Sequence, residues 1–218
     1  MEQIPAPTKE RLLYLMRILE RMGAGEAITS SRIEALTGWA SHTVRKDISF
    51  LGAAGNNEGV PLGSSLGYDT TALVSLIKRA LNLERRRKFC VVGLGRLGSA
   101  YLNAQELEGS EFELVAGFDT NVNRTEILKS TVPLYPAYKM PEVISRFDIE
   151  IALLCVPVEA AQTAADRLIT SGIRGILNFA PAPLKVPPGI AVQNVYLMDE
   201  LRALSIKMIP AAEADKTI

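Results

Sequence analysis

Cys90-Val91-Val92-Gly93-Leu94-Gly95-Arg96-Leu97-Gly98 is the stretch that decides the fold. A short β-branched run leads into three glycines at G-x-G-x-x-G spacing, and residues 99–107 read as a helix. Each glycine has its own task in such a turn. Gly93 makes the bend, Gly95 lets a pyrophosphate approach the backbone, and Gly98 lets helix pack on strand. The pyrophosphate then rests on the helix N-terminus, where free N–H groups and the helix dipole favour an anion. Glycine-rich turns are common, so the spacing alone is weak evidence. Here a second strand, residues 112–118, ends in Asp119, 21 residues beyond Gly98, near the expected offset of a ribose-binding acid. Gly93, Leu94, Gly95, Arg96, Leu97, Gly98 and Asp119 are therefore the expected nucleotide site. A carboxylate at 119 accepts hydrogen bonds from ribose hydroxyls and repels a 2′-phosphate, so NAD(H) is expected over NADP(H). Arg124, five residues beyond Asp119, could meet a phosphate, but reads first as a solvated loop charge.

Downstream the pattern alternates. Near-continuous apolar runs at 89–92, 112–118, 149–156, 175–179 and 190–195 suit buried parallel strands. Helical stretches such as 159–171 lie between them. The expected architecture is α/β, a doubly wound parallel sheet of the Rossmann type. Val156-Pro157 and Asn178-Phe179-Ala180-Pro181 follow strand C-termini, the edge where such sheets bind ligands, so Val156, Pro157 and Phe179 join the expected cofactor site; Phe179 could equally fill the core. A last apolar helix, 197–209, has no partner within a conventional Rossmann unit and invites intermolecular packing. Residues 211–218 read as a tail.

Upstream, residues 8–22 repeat Leu12, Leu15, Met16, Leu19 and Met22 at helical spacing. Ser31-Arg32-Ile33-Glu34 has the capping-box pattern of a second helix running to Leu36. After the turn Thr37-Gly38-Trp39-Ala40, Ser41 is placed to N-cap a third helix reaching Leu51. Helix, short turn, helix is the helix-turn-helix layout. Val44, Ile48 and Leu51 cluster on one side of the third helix, leaving His42, Lys46 and Ser49 opposite and Arg45 on the shoulder. Cationic and small polar groups there suit base edges and phosphates, so Ser41, His42, Thr43, Arg45, Lys46 and Ser49 are the expected DNA contacts. His42 is the only histidine and lacks a second ligand at metal spacing, so neither a metal site nor a catalytic base is expected. Residues 52–68, rich in glycine and asparagine, read as the wing of a winged helix, 68–83 as a helix, and Glu84-Arg85-Arg86-Arg87-Lys88 as a solvated linker. The expected domains are 1–84, winged helix; 85–195, Rossmann; 196–210, dimerisation helix; 211–218, tail.

Lysine plus arginine and aspartate plus glutamate balance at 24 each, but residues 1–88 hold 13 basic against 9 acidic groups. That surplus mildly favours a polyanion partner for the front half. Cys90 and Cys155 read as small core residues of a reduced compartment. The first ten residues lack a signal-peptide shape, and the longest apolar run, 151–158, is far short of a membrane span. A cytoplasmic protein without a membrane partner is expected.

With these motifs in hand, the chain resembles the bacterial redox-sensing repressors of the Rex family over nearly its whole length. The resemblance lies in Val44-Arg45-Lys46-Asp47-Ile48-Ser49, in Gly67-Tyr68, in Gly93 to Ser99, in Val156-Pro157-Val158-Glu159-Ala160-Ala161-Gln162, and in Gly172-Ile173-Arg174-Gly175-Ile176-Leu177-Asn178-Phe179-Ala180-Pro181. It implies a homodimer with swapped C-terminal helices that binds an inverted-repeat operator in double-stranded DNA when NADH is scarce, and releases it when NADH closes the dimer. Three departures accompany it. Asn56-Asn57-Glu58 and extra residues replace the family's short Lys-Arg wing. Ala104 stands where the family carries a tyrosine used in redox discrimination, with Tyr101 one turn away. Tyr196 stands where the family has an aspartate that pairs with a first-helix arginine, matched here by Arg17; Asp199 lies one turn further on.

Three functions follow for comparison. The first is an NAD(H)-responsive repressor. A diverged member that binds NAD(H) and DNA without redox discrimination is the second. A small dehydrogenase is the third, and it fails on inventory, because no substrate domain follows the Rossmann unit and the one histidine lies in the helix-turn-helix. The chain is therefore expected not to be an enzyme.

Overall fold

The computed structural model describes residues 4–23, 25–54, 67–104 and 110–208. The chain divides into two units, Met1–Arg85 and Arg86–Ile218.

In the first unit, α1 (Ala6–Leu19) buries Leu12, Leu15, Met16 and Leu19, as its spacing dictates. α2 (Ser30–Thr37) and α3 (Ser41–Ala54) form the helix-turn-helix, with Gly38 in the left-handed conformation at the turn. Ile33, Val44, Ile48 and Leu51 join the α1 stripe and Leu73, Leu76 and Ile77 of α4 (Thr70–Ala80) in one core.

Three expectations need correction here. The cap of α2 is Thr29, whose hydroxyl accepts from the Arg32 N–H at 3.1 Å, so Ser31 and Glu34 form no capping box. Ser41 is the first helical residue of α3 rather than its cap; its N–H and hydroxyl both donate to the Glu34 carboxylate, which supplies the cap from the preceding helix. Residues 68–69 are not helical. Tyr68–Asp69 (β2) pairs antiparallel with Ala27–Ile28 (β1), and Asp69 caps α4 by accepting from the Ala72 N–H at 2.7 Å. Most of the expected wing lies outside the described residues.

The second unit is a six-stranded parallel sheet: β3 (Arg87–Val92), β4 (Phe112–Asp119), β5 (Leu134–Pro136), β6 (Ile151–Leu154), β7 (Gly175–Asn178) and β8 (Ala191–Asn194), in the order β5-β4-β3-β6-β7-β8. All five pairings are parallel. This is the doubly wound order, reversing between β3 and β6. Its connections are α5 (Arg96–Tyr101), α6 (Val122–Ile127), α7 (Met140–Phe147) after a 3-10 turn at Ala137–Lys139, and α8 (Val158–Thr170).

The sheet corrects several boundaries. α5 begins directly at the glycine loop, with Gly95 as its cap, three residues before the expected start. β7 reaches β8 through residues 179–190 without a helix. The expected linker is no plain solvated run. Arg87 opens β3 and meets Glu150 at 3.1 Å, Arg86 reaches Glu113 at 3.7 Å, and Glu84 meets Arg79 at 3.5 Å. β5, α6 and α7 carry no signal that periodicity alone singled out.

α9 (Leu197–Lys207) follows β8 and buries none of its residues within the chain. Leu197, Met198, Leu201, Leu204 and Ile206 are all exposed. Among the described residues no helix is long and apolar enough to cross a membrane.

Candidate functional site

The glycine loop leaves β3 and is fixed before any ligand enters. Gly93 has φ +90°, and a Cβ there would sit 2.5 Å from the Cys155 carbonyl oxygen. Its N–H donates to the Phe118 carbonyl at 2.8 Å, tying the loop to β4. A Cβ on Gly98 would stand 1.9 Å from the Gly93 oxygen, a distance no side chain tolerates. Gly95 differs: a Cβ there meets nothing within 4 Å. Two glycines are therefore demanded by the protein's own packing, and the third faces open space.

That space is a cleft of about 690 Å³ over the point where the strand order reverses. It is lined by Val92 and by Gly93, Gly95 and Leu97 of the glycine loop, by Phe118, Asp119 and Thr120 at the end of β4, by Arg124, Ala137 and Met140, by Cys155, Val156 and Pro157 after β6, by Ala160, Thr163, Ala164 and Arg167 of α8, and by Phe179. Phe179 packs against Tyr101 with ring centroids 5.5 Å apart, so this aromatic belongs to the cleft and not to the core.

Asp119 is 5% exposed and held from two sides. Its Oδ2 accepts from the Leu94 N–H and its Oδ1 from the Asn121 N–H, each at 2.7 Å. Oδ1 keeps capacity for a further donor, whereas Oδ2 takes Arg124 as its second. Arg124 is not the solvated loop charge expected: it lies on α6 with Nη1 3.4 Å from Asp119 Oδ2, and it lines the cleft.

Of the expected cofactor residues, Gly93, Gly95, Leu97, Asp119, Val156, Pro157 and Phe179 line the cleft, whereas Leu94, Arg96 and Gly98 do not. Leu94 puts its side chain in the core and only its N–H toward Asp119; Arg96 is exposed; Gly98 is buried against Gly93. Met140 and Arg167 escaped the sequence because they come from helices whose placement depends on the sheet. Cys155 is half-buried in the cleft wall rather than in the core, and partial burial pushes its thiol up to about 11. Burial pushes Cys90, in β3, higher still.

A polar knot closes the far ends of β7 and β8. Asn178 is fully buried; its Nδ2, with two hydrogens to give, lies 2.9–3.1 Å from the Ala182 carbonyl, Asn194 Oδ1 and the Tyr196 hydroxyl, while its Oδ1 accepts from the Ala180 N–H. The Tyr196 hydroxyl donates to the Ala182 carbonyl at 2.7 Å. Tyr196, the last residue before α9, is thus bound to the loop that follows Phe179. Asp199 is paired with Arg202 on α9 at 2.7 Å.

In the first unit, α3 presents His42, Arg45, Lys46 and Ser49 to solvent, while Ser41 and Thr43 are half-buried. Arg45 Nη1 donates to Ser30 Oγ at 3.1 Å, and Ser49 Oγ donates to the Lys46 carbonyl at 2.6 Å. Asp47, next to Lys46 in sequence, points inward at 4% exposure. It receives Arg11 Nε at 2.6 Å, Arg11 Nη2 at 2.8 Å and the Thr8 hydroxyl at 2.9 Å. This pair sets the presentation of α3 by locking it to α1, and it removes the one acid from the helix's exposed face. Nothing in the periodicity signals it.

Family models match both parts: residues 3–49 match a putative DNA-binding protein N-terminus, and residues 84–182 a CoA binding domain. The redox-sensing transcriptional repressor Rex of Ligilactobacillus salivarius (strain UCC118) is 35% identical over 93% of this chain and 92% of its own. RSP, a Rex-family repressor, has been solved with beta-NAD+ and operator DNA and also with beta-NADH. The first complex superposes with a TM-score of 0.81 at 29% identity, covering 95% of this chain and 94% of that one. The second gives 0.77 at 28%, covering 95% of each.

Proposed function

This chain belongs to the Rex family of redox-sensing transcriptional repressors, and we propose that it represses transcription by binding an inverted-repeat operator, which NADH makes it release. The cleft carries the reading. Open space beside Gly95 and a fixed carboxylate at Asp119 are what a pyrophosphate and an adenosine ribose require. Leu94, Arg96 and Gly98 shape the loop, and Val156, Pro157 and Phe179 flank the remainder of the dinucleotide. On the DNA side, Lys46, Arg45, His42 and Ser49 meet bases and phosphates, with Ser41 and Thr43 near the backbone.

Support for a dimer comes from α9. Its exposed apolar side chains need a partner, and a second copy that exchanges this helix supplies one. A ligand moves such an assembly only through different affinities for its two states. The relatives are named as repressors, and this chain's chemistry is binding rather than catalysis, in keeping with a cytoplasmic regulator.

One observation supports weaker redox discrimination. Tyr196 brings no carboxylate for Arg17, and its hydroxyl is committed to Ala182. Ala104 brings no hydroxyl. Titrating an operator complex separately with NAD+ and NADH tests both points. Release by NADH at lower concentration than by NAD+ is expected, and Ala104→Tyr/Tyr196→Asp widens the gap. No release by either nucleotide would overturn the proposed function; a wide gap in the unmodified chain would overturn only the role of the two positions.

A further inference from the structure

We propose that Arg124 sets how strictly the cleft discriminates between NADH and NADPH, by offering its guanidinium to an adenosine 2′-phosphate. The proposal rests on the nucleotide-binding reading above and adds a ligand class to it. An acid at the end of the second Rossmann strand normally excludes that phosphate by charge. Here the acid is not alone. Arg124 Nη1 lies 3.4 Å from Asp119 Oδ2, so a phosphate arriving at the ribose meets an ion pair instead of a bare carboxylate.

Asp119 cannot turn away to make room, because backbone N–H groups hold both its oxygens at 2.7 Å. Arg124 has more freedom: its side chain is 52% exposed at the rim. A guanidinium carries five N–H donors in a planar fork, and only Nη1 is engaged by Asp119. The fork suits the oxygens of a phosphate monoester. Arg167 also lines the cleft, so among the described residues its charged lining is one acid and two arginines. For NADH the ribose hydroxyls are served by Asp119, and Arg124 is not called upon. The contact is therefore specific to the phosphorylated ligand.

The test is a calorimetric titration of the full chain with NADH and NADPH, as wild type, Arg124→Gln and Arg124→Lys. In the wild type, NADPH binds within about 100-fold of NADH. Arg124→Gln lowers the NADPH-to-NADH affinity ratio at least about tenfold, the scale of one lost charge-assisted contact, and Arg124→Lys restores part of it. A ratio unmoved by Arg124→Gln, or wild-type NADPH binding weaker than that limit, overturns the proposal while leaving NADH binding intact. Failure of the wild type to bind NADH at all overturns the nucleotide reading and this inference together.

Discussion

Alanine at Gly95 and alanine at Gly98 should have opposite consequences, although both positions belong to one fingerprint. Gly95 has φ −70° and ψ −163°, values any residue adopts, and its added methyl meets nothing within 4 Å. Alanine is a poorer helix cap than glycine but narrows the unfolded ensemble, and these effects are each below about 1 kcal/mol and opposed. Stability should therefore change by less than about 0.5 kcal/mol. The methyl does, however, occupy the approach of the pyrophosphate. Losing one charge-assisted hydrogen bond costs about 1.5–3 kcal/mol, or roughly 10- to 150-fold in NADH affinity. At Gly98 the methyl would lie 1.9 Å from the Gly93 oxygen and 3.2 Å from Val91 Cγ1. The Gly93 backbone and the Val91 side chain have to retreat, and overpacking of this kind costs about 3 kcal/mol, a fall of about 10 °C in the unfolding midpoint of the second unit. Calorimetric titration with NADH and thermal unfolding, run on both variants, separate the two cases. NADH affinity within twofold of wild type in Gly95→Ala would refute the placement of the pyrophosphate. Wild-type stability in Gly98→Ala would refute the packing argument.

Asp47→Ala should strip Arg11 and Thr8 of their shared partner and destabilise the first unit by about 3 kcal/mol, at the lower end for a broken buried pair because Arg11 is partly solvated; denaturant unfolding measures it, and a loss under about 1 kcal/mol would show that water replaces the pair. Lys46→Ala and Arg45→Ala should each weaken operator binding with the fold intact. If the lost contact is to a phosphate, the salt slope drops by about one; if to a base, specificity relaxes at one position by about 1–3 kcal/mol. Normal operator binding by the double variant in a mobility-shift assay would remove α3 from the interface. Stability should fall as pH rises above about 9, because burial raises both thiols, so the unfolded chain loses protons the native state keeps. The contribution is complete below the unfolded thiol range and is lost as pH climbs toward the folded values. For Cys90 the slope is up to about 1.4 kcal/mol per pH unit, with less from the partly solvated Cys155. Denaturant titrations at pH 8, 9 and 10 on wild type and Cys90→Ala check it, and identical slopes would refute the buried-thiol contribution.

Elements whose rules are local are legible along the chain. The fingerprint from Gly93 to Gly98 was legible because its backbone demands lie within six residues, and Asp119 because one crossover fixes its distance along the chain. The Leu12–Leu19 stripe and the Val44–Ile48–Leu51 stripe were legible for the same reason: helical period alone assigns their buried face. The roles of Asp47, Glu34 and Arg124 emerge from packing. Arg124 reads as a solvated loop charge, Glu34 as part of its own helix's capping box and Asp47 as one residue of the α3 motif, yet Asp47 is claimed by Arg11 across 36 positions, Glu34 caps the next helix, and Arg124 leans on Asp119. The two-residue strands β1 and β2 were invisible because two residues have no period, and Tyr196 reads as a lost carboxylate until Asn178 and Ala182 are seen around its hydroxyl. A charged or polar side chain takes its role from whichever partner the packed chain brings within hydrogen-bonding reach, and that partner is set by the meeting of distant elements, which spacing along the chain does not encode.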